Sequence, residues 1–340
     1  GAMDCYIVEH LHSQDVIRST EELGVRMNQE LEKGNHQCIL YLKFIPEEEL
    51  VNINEELDGF FGNVESYVVL KKYDKYIYKV ELDLQVSNNY YVYQAYKNGI
   101  TIPNQNQQAV ELLGVVNEIL NTTITADMTD YYKELAIHDY IITHCSYGFL
   151  TGEDEMNSYK AYGALVKGTA VCNGYAEAMQ LLLMCCDVKS YIVVGEADKV
   201  AHAWNLVELD DNWYHVDVTW DDPLPDQGDK VSYGYMNIND TMIEYSHTWN
   251  EEAYPISKDL TYNYYMKKNG VFNGFAEYKS YIINAIESES PETISAMVRG
   301  YSVENYDFNF VFTNTNVKNV SYTVNDIGEY TVVDLVLTYY

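Results

Sequence analysis

Lys167-Gly168-Thr169-Ala170-Val171-Cys172-Asn173-Gly174-Tyr175-Ala176 is followed by Ala201-His202-Ala203-Trp204-Asn205 and then by Trp213-Tyr214-His215-Val216-Asp217-Val218-Thr219-Trp220. These stretches deliver a thiol, an imidazole and a carboxylate in order, each at the edge of a different predicted element. A thiol nucleophile with an oriented base requires that set. Tyr175, Met179, Leu182, Leu183 and Cys186 recur at helical spacing, so Cys172 falls in the first turn of a helix, between Gly168 and Gly174. Unpaired backbone N–H groups and the helix dipole favour negative charge there. A nearby imidazolium would lower the thiol pKa further, and the same N–H groups could hold the oxygen of a tetrahedral adduct.

Ala203 to Val218 reads as a hairpin turning near Asp210-Asp211-Asn212, after the apolar strand Tyr191-Ile192-Val193-Val194. Strand parity makes the pairing of His202 with Asp217 a matter of register. A two-residue turn at Asp210-Asp211 sets Thr219 opposite His202 and Trp204 opposite Asp217, which puts His202 and Asp217 on one face and diagonally adjacent. A regular three-residue turn puts them on opposite faces. Moving the two-residue turn to Asp211-Asn212 pairs Asp217 with Leu206, too far along the strand. The site therefore requires the first register or a compensating bulge.

Upstream, Val110 to Leu120 and Met128 to His144 read as helices, with Thr129-Asp130 as N-cap, and a polar loop from Gly148 to Asn157 leads toward the cysteine. Nearer the N-terminus come a helix from Ser19 to Lys33, a strand from Cys38 to Phe44, a helix from Glu47 to Phe60, and strands Glu65 to Leu70 and Tyr76 to Val86. The second of these strands alternates Tyr78, Val80, Leu82, Leu84 against Ile77, Lys79, Glu81, Asp83. The C-terminal segment shows a similar order: a helix from Ala276 to Ile286, a strand near Ile294 to Val298, a helix near Val303 to Phe308, and strands around Val311 and from Tyr330 to Tyr339. Tyr76 to Leu84 aligns with Tyr330 to Leu337, although short alternating strands resemble one another by construction.

The 340 residues suffice for two domains or one large core with extensions. A formal charge of −31 repels phosphate backbones and anionic lipid, which argues against nucleic-acid or membrane-surface partners and toward a neutral or basic one. No apolar run reaches the roughly 18 residues of a membrane span. Gly1-Ala2-Met3 reads as an expression-tag remnant, so a native leader is expected to have been removed. The 34 tyrosines against few lysines are compatible with a secreted or cell-surface bacterial protein, with a cytoplasmic location as the alternative. The six cysteines have no CxxC spacing and no dense framework, and Cys185 and Cys186 end an apolar helical run as small buried hydrophobes.

The run Gly168-x-x-x-Cys172-x-Gly174-Tyr175-Ala176, Gly195, His202-Ala203-Trp204-Asn205 and Trp213-Tyr214-x-Val216-Asp217-x-Thr219-Trp220-Asp221-Asp222-Pro223 resembles the bacterial transglutaminase-like superfamily. Ala136 to Ile141 and Ala161 to Leu165 extend the resemblance, which covers roughly Asp127 to His247. It implies an α+β fold with a papain-like core, a nucleophile at a helix N-terminus packed on an antiparallel sheet. Residues 4–109 and 256–340 are then small α+β flanking domains around a core at 110–255. The resemblance implies Cys172 as nucleophile, His202 as general base and acid, and Asp217 as the group that orients the imidazole.

Family members include cross-linking acyltransferases, peptidases, amidases and domains without activity, so the reaction is left open. The expectation is a thiol enzyme cleaving peptide or protein amides, with protein-glutamine acyl transfer or a silent scaffolding module as alternatives. Tyr147, Tyr162, Trp204 and Trp220 are candidate substrate-binding residues, core packing being the competing role for the tyrosines. His215 and His247 read as structural, and His138 and Asp139 share a helix with no evident partner. No cofactor and no metal is expected, and nothing reads as a calcium-binding apparatus.

Overall fold

A computed structural model describes residues 16–43, 62–73 and 77–340. The chain falls into two compact units, residues 1–118 with 252–254, and residues 119–251 with 255–340.

In the first unit, β1 (Val16–Ile17), α1 (Thr20–Glu32), β2 (Gln37–Lys43), β3 (Gly62–Lys72) and β4 (Ile77–Val86) build a four-stranded sheet of order β1-β2-β4-β3 with its helix. β1 runs parallel to β2, and the other neighbours are antiparallel. Helix α1 starts where the Ser19 hydroxyl accepts the Glu22 N–H, and Leu23, Met27 and Leu31 bury one face at i, i+4, i+8. In β4, Tyr78, Val80, Leu82 and Leu84 are buried while Lys79, Glu81 and Asp83 are half-exposed, the alternation legible in the sequence. The expected helix from Glu47 to Phe60 lies outside the described residues. Helix α2 (Asn88–Asn98), ended by left-handed Gly99, was not expected, because its Asn- and Tyr-rich run has poor helix propensity. The chain passes from one unit to the other within α3 (Gln107–Thr123).

The second unit contains α4 (Asp130–His144), the short parallel pair β5 (Ser146–Tyr147) and β6 (Thr169–Ala170), and the apolar helix α5 (Cys172–Cys185). Five antiparallel strands follow in the order β10-β9-β8-β7-β11: β7 (Ser190–Ala197), β8 (Val200–Leu209), β9 (Asn212–Val216), β10 (Met236–Ile238) and β11 (His247–Trp249). Helix α5 lies on this sheet, and buried Asn205 of β8 pins it by donating to the Ala176 carbonyl at 3.0 Å. The result is the α+β arrangement expected, with a helix N-terminus carrying the cysteine against an antiparallel sheet.

The same unit holds a second four-stranded sheet. Its elements are β12 (Val271–Phe272), α9 (Phe275–Glu289), β13 (Thr293–Arg299), β14 (Val317–Ile327) and β15 (Tyr330–Tyr339); the one-turn helices α6 (Val218–Asp221), α7 (Asp240–Ile243) and α8 (Tyr264–Lys267) precede them. The order β12-β13-β15-β14, with only the first pair parallel, matches that of the N-terminal sheet, and the aligned segments Ile77 to Leu84 and Tyr330 to Leu337 fall on the equivalent strands β4 and β15. The expected helix near Val303 to Phe308 and strand around Val311 are corrected. Residues Phe308–Phe312 form a 3-10 turn whose Phe308, Phe310 and Val311 fill the core beside Tyr278 and Ile282. The strand instead begins at Val317, and it was hard to read because nearly all of its side chains are exposed, which erases the apolar alternation.

Candidate active site

Cys172 opens α5 after Val171, an extended N-cap. The glycines around it are fixed by crowding. A Cβ on Gly174 would sit 2.6 Å from Ala170 Cβ and 2.9 Å from the Ser158 carbonyl oxygen, so only glycine lets the first helical turn press against residues 158–160. Gly168 holds a left-handed φ of 73° where the chain enters β6. On the sheet, a Cβ on Gly195 would lie 2.1 Å from the Thr248 carbonyl oxygen, and Gly195 is the partner of His202 across β7 and β8.

The β8–β9 hairpin adopts the register the site requires. Asp210 and Asp211 form the two-residue turn with φ of 49° and 63°, and the ladder runs from Leu209 opposite Asn212 to Asn205 opposite Val216. The strand then stops one residue before Asp217. Asp217 is the N-cap of α6, so Thr219 lies in a helix rather than opposite His202. The Asp217 Oδ1 accepts the Trp220 N–H at 3.1 Å, and the Tyr235 carbonyl accepts the Asp217 N–H at 3.0 Å. These bonds fix a carboxylate that is fully buried.

The His202 Nε2 meets Asp217 Oδ2 at 2.7 Å, which leaves Nδ1 as the nitrogen available to the Cys172 sulfur. Burial alone would raise the Cys172 thiol. Hydrogen bonding and charge attraction from His202, with the backbone N–H groups of Ala203 and Asn173, outweigh it and bring the thiol below its ordinary value. Burial would lower His202, but Asp217 and Cys172 raise it to about 10. Burial works against the Asp217 carboxylate, yet His202 and His247 hold it below its usual range. All three directions favour the charged forms of Cys172, His202 and Asp217.

His247, at the start of β11, does more than pack. Its Nε2 reaches the same Asp217 Oδ2 at 2.7 Å, its Nδ1 meets Ser246 Oγ at 2.8 Å, and its ring stands edge-on to Trp220 and Trp204. His202, Asp217 and His247 lie within 4.8 Å of one another, the group with metal-ligand spacing among the described residues. Two imidazole N–H donors on one carboxylate oxygen account for that convergence.

A cleft of about 390 Å³ borders Cys172 and His202, with Tyr147, Trp220, Asp222 and Leu224 among its walls. Tyr147 and Trp220 line this cleft. Tyr162 and Trp204 are buried and are not among the cleft's lining residues. Trp204 stacks near the His202 ring, 6.0 Å between centroids, and donates its Nε1–H to His215 Nδ1 at 3.0 Å. His215 Nε2 in turn meets Asp240 Oδ1 at 2.6 Å, and burial depresses its pKa, which suits a neutral ring accepting from the indole. His202 therefore rests on a relay of packing that ends at Asp240.

His138 has partners, contrary to expectation. Its Nε2 meets Asp221 Oδ2 at 2.9 Å and its Nδ1 meets Asp139 Oδ1 at 3.0 Å. Burial opposes its charge, but the two carboxylates raise its pKa to about 9. Asp221 Oδ1 also accepts the Tyr235 N–H at 2.9 Å, so this cluster supports the segment whose carbonyl holds Asp217. Asp221 and Asp222 were visible only inside the Trp220-Asp221-Asp222-Pro223 run, and His247 only as a structural histidine at the end of the recognised block. No spacing rule links either to the triad, because loops and a sheet edge bring them in.

A cysteine at a helix N-terminus, with a histidine on an antiparallel sheet and a carboxylate just beyond the end of its neighbouring strand, defines the thiol-enzyme class of site. Residues 117–218 match the profile of the Transglutaminase-like superfamily, so the central segment is transglutaminase-like. Among solved structures, the chain is similar to a TGase at 14% identity and a TM-score of 0.27, covering 61% of this chain and 59% of that one. It is also similar to a candidate cysteine protease from Cytophaga hutchinsonii at 15% identity and a TM-score of 0.27, covering 47% of this chain and 70% of the other. A third similarity, at 11% identity and a TM-score of 0.26, is to a candidate protease from Parabacteroides distasonis, covering 90% of this chain and 66% of that one. No curated protein matches the chain. Among the described residues, no helix is long and apolar enough to cross a membrane.

Proposed function

We propose that the protein is a thiol enzyme that cleaves peptide or protein amide bonds through a thioester on Cys172. The observation that carries this reading is the position of His202, with Nε2 on buried Asp217 and its other face toward a thiol held below its ordinary pKa. The Cys172 thiolate attacks the amide carbonyl, and the N–H groups opening α5 supply donors for the oxyanion. His202 gives its proton to the leaving amine as the C–N bond breaks. It then takes a proton from water, which attacks the thioester and returns the thiolate. The acidic composition favours a neutral or basic substrate.

The test is mass spectrometry of the protein quenched during turnover of a casein digest. An acyl adduct on Cys172, free carboxylic acid products, and neither with Cys172→Ala are expected. Equal cleavage by Cys172→Ala would remove the reading. Incorporation of a labelled primary amine in place of acid product would assign the reaction to acyl transfer instead.

A further inference from the structure

The cleft wall contains a carboxylate that the triad does not use. Asp222 lines the same cleft as Cys172 and is 5% exposed. It follows α6 directly, and its Oδ2 accepts the Tyr175 hydroxyl of α5 at 2.5 Å. The Tyr175 oxygen also lies 3.1 Å from the Cys145 carbonyl, so the carboxylate is braced from the end of α4 as well as from α5. The groups that act on it are Tyr175, Cys145 and Asp226, and the titratable residues lining the same cleft are Cys172, His202 and Tyr147. Apart from His202, whose charge is committed to Asp217 and Cys172, none is cationic, and among the described residues no lysine or arginine contributes to the lining. A buried carboxylate without a cation costs free energy, and an incoming organic cation would relieve that cost.

We propose that Asp222 makes this cleft a binding site for an organic cation, a primary ammonium or a guanidinium, held beside the Cys172 sulfur. The inference deepens the proposed function and rests on Cys172 being the reacting group. Burial, and then the nearby charge of Asp226, raise Asp222 to about 6 despite the Tyr175 hydrogen bond, so the site is charged at neutral pH and discharged in mild acid. Two sources present such a cation: a lysine or arginine side chain of the acyl donor, and a primary amine that accepts the acyl group. Tyr147, Trp220 and Leu224 in the same cleft suit the methylene stem of either.

The test compares two reagents on the full chain: (2-aminoethyl) methanethiosulfonate, which is cationic, and methyl methanethiosulfonate, which is neutral. In each, the Cys172 thiolate attacks the sulfenyl sulfur, a disulfide forms, and methanesulfinate leaves with the bonding electron pair. In wild type at pH 7 and physiological salt, the cationic reagent is expected to react about tenfold faster, and Asp222→Asn should bring that ratio near about one to two. An equal ratio in wild type and Asp222→Asn overturns the proposal. Should the variant fold poorly, the wild-type ratio is read alone: it must grow as pH rises from 5 to 7.5 through the ionisation of Asp222, and a flat ratio overturns the proposal. Slow reaction of wild type with both reagents, with the tenfold preference still present and still lost in Asp222→Asn, counts against the activated thiol and not against Asp222, so the two failures are distinguishable.

Two further arms name the source. Cadaverine accelerating turnover of a glutamine peptide in wild type, and not in Asp222→Asn, assigns the site to the acceptor. A higher kcat/KM for a lysine-bearing than for a norleucine-bearing donor, lost in Asp222→Asn, assigns it to the substrate side chain. Absence of both effects overturns the role in turnover.

Discussion

Asp217 and Asp221 stand at the two ends of one helical turn, and each binds a buried imidazole with a raised pKa, His202 at about 10 and His138 at about 9. In both clusters a carboxylate raises an imidazole, although Asp217 is held below its usual range while burial pushes Asp221 up to about 6. They differ in what lies beyond the ring. Past His202 come a half-exposed thiol and a cleft; past His138 come a second carboxylate, Asp139, and the stacked ring of Tyr233. A perturbed histidine is therefore no mark of chemistry by itself. The front cluster faces the thiol of the proposed reaction, whereas the rear one holds Tyr235 and through it the backbone of Asp217.

The contrast is broken most completely by removing the thiol. Cys172→Ala should abolish turnover and acyl-adduct formation while shifting the urea midpoint little, since that side chain is partly exposed. Asp221→Asn should do the reverse in kind, lowering unfolding free energy by about 3 kcal/mol because a buried imidazolium loses its carboxylate. Urea titration measures that loss, and a cost below about 1 kcal/mol would show that the rear pair supports little.

Gly174→Ala should cost about 1–3 kcal/mol and slow Cys172 alkylation as well, because the added methyl has backbone at Ser158 and Lys160 in its way. A stable variant with wild-type reactivity would show that the helix start can shift freely.

The gentlest probe lies beside His138 on α4. Fully buried Glu134 is pushed up to about 8 by burial, against the pull of Asn237 and His138, so it is neutral in the folded protein at pH 7. The folded state then binds one more proton than the unfolded state between pH 4.5 and about 8. Its contribution is fully present below pH 4.5 and is lost as pH rises through 8. Glu134→Gln removes that proton difference, so its stability relative to wild type should improve with pH by about 1 kcal/mol per unit across this window. Urea midpoints at pH 5, 6.5 and 8 measure it, and parallel curves would contradict it.

Much of the front cluster was legible in the sequence, and the reason is local. Cys172 is read from its helix start and Gly174, and the His202–Asp217 relation from the parity of a hairpin whose Asp210-Asp211 turn tolerates positive φ. The rest depends on long-range placement. His247 reaches Asp217 from a strand that pairs with β7 at the sheet edge, and Asp222 reaches the cleft through a loop braced by Tyr175. Trp204 illustrates the opposite error. It shares a face of β8 with His202, but it lies two residues further from the half-exposed start of the strand, so the indole is buried where it supports the imidazole. In the flanking sheets, β4 announced itself by alternation, whereas the exposed β14 did not.

The central claim is that His202, anchored by Asp217, keeps Cys172 as a thiolate. The rate of Cys172 alkylation by iodoacetamide, followed from pH 5 to 10 in wild type and His202→Ala, tests it most directly. The account predicts a wild-type midpoint below the roughly 8.5 of a free thiol, and a rise to that value or above in His202→Ala, where only the backbone N–H groups of Ala203 and Asn173 still oppose burial. A midpoint near 8.5 in both proteins, unmoved by loss of the imidazole, would contradict it.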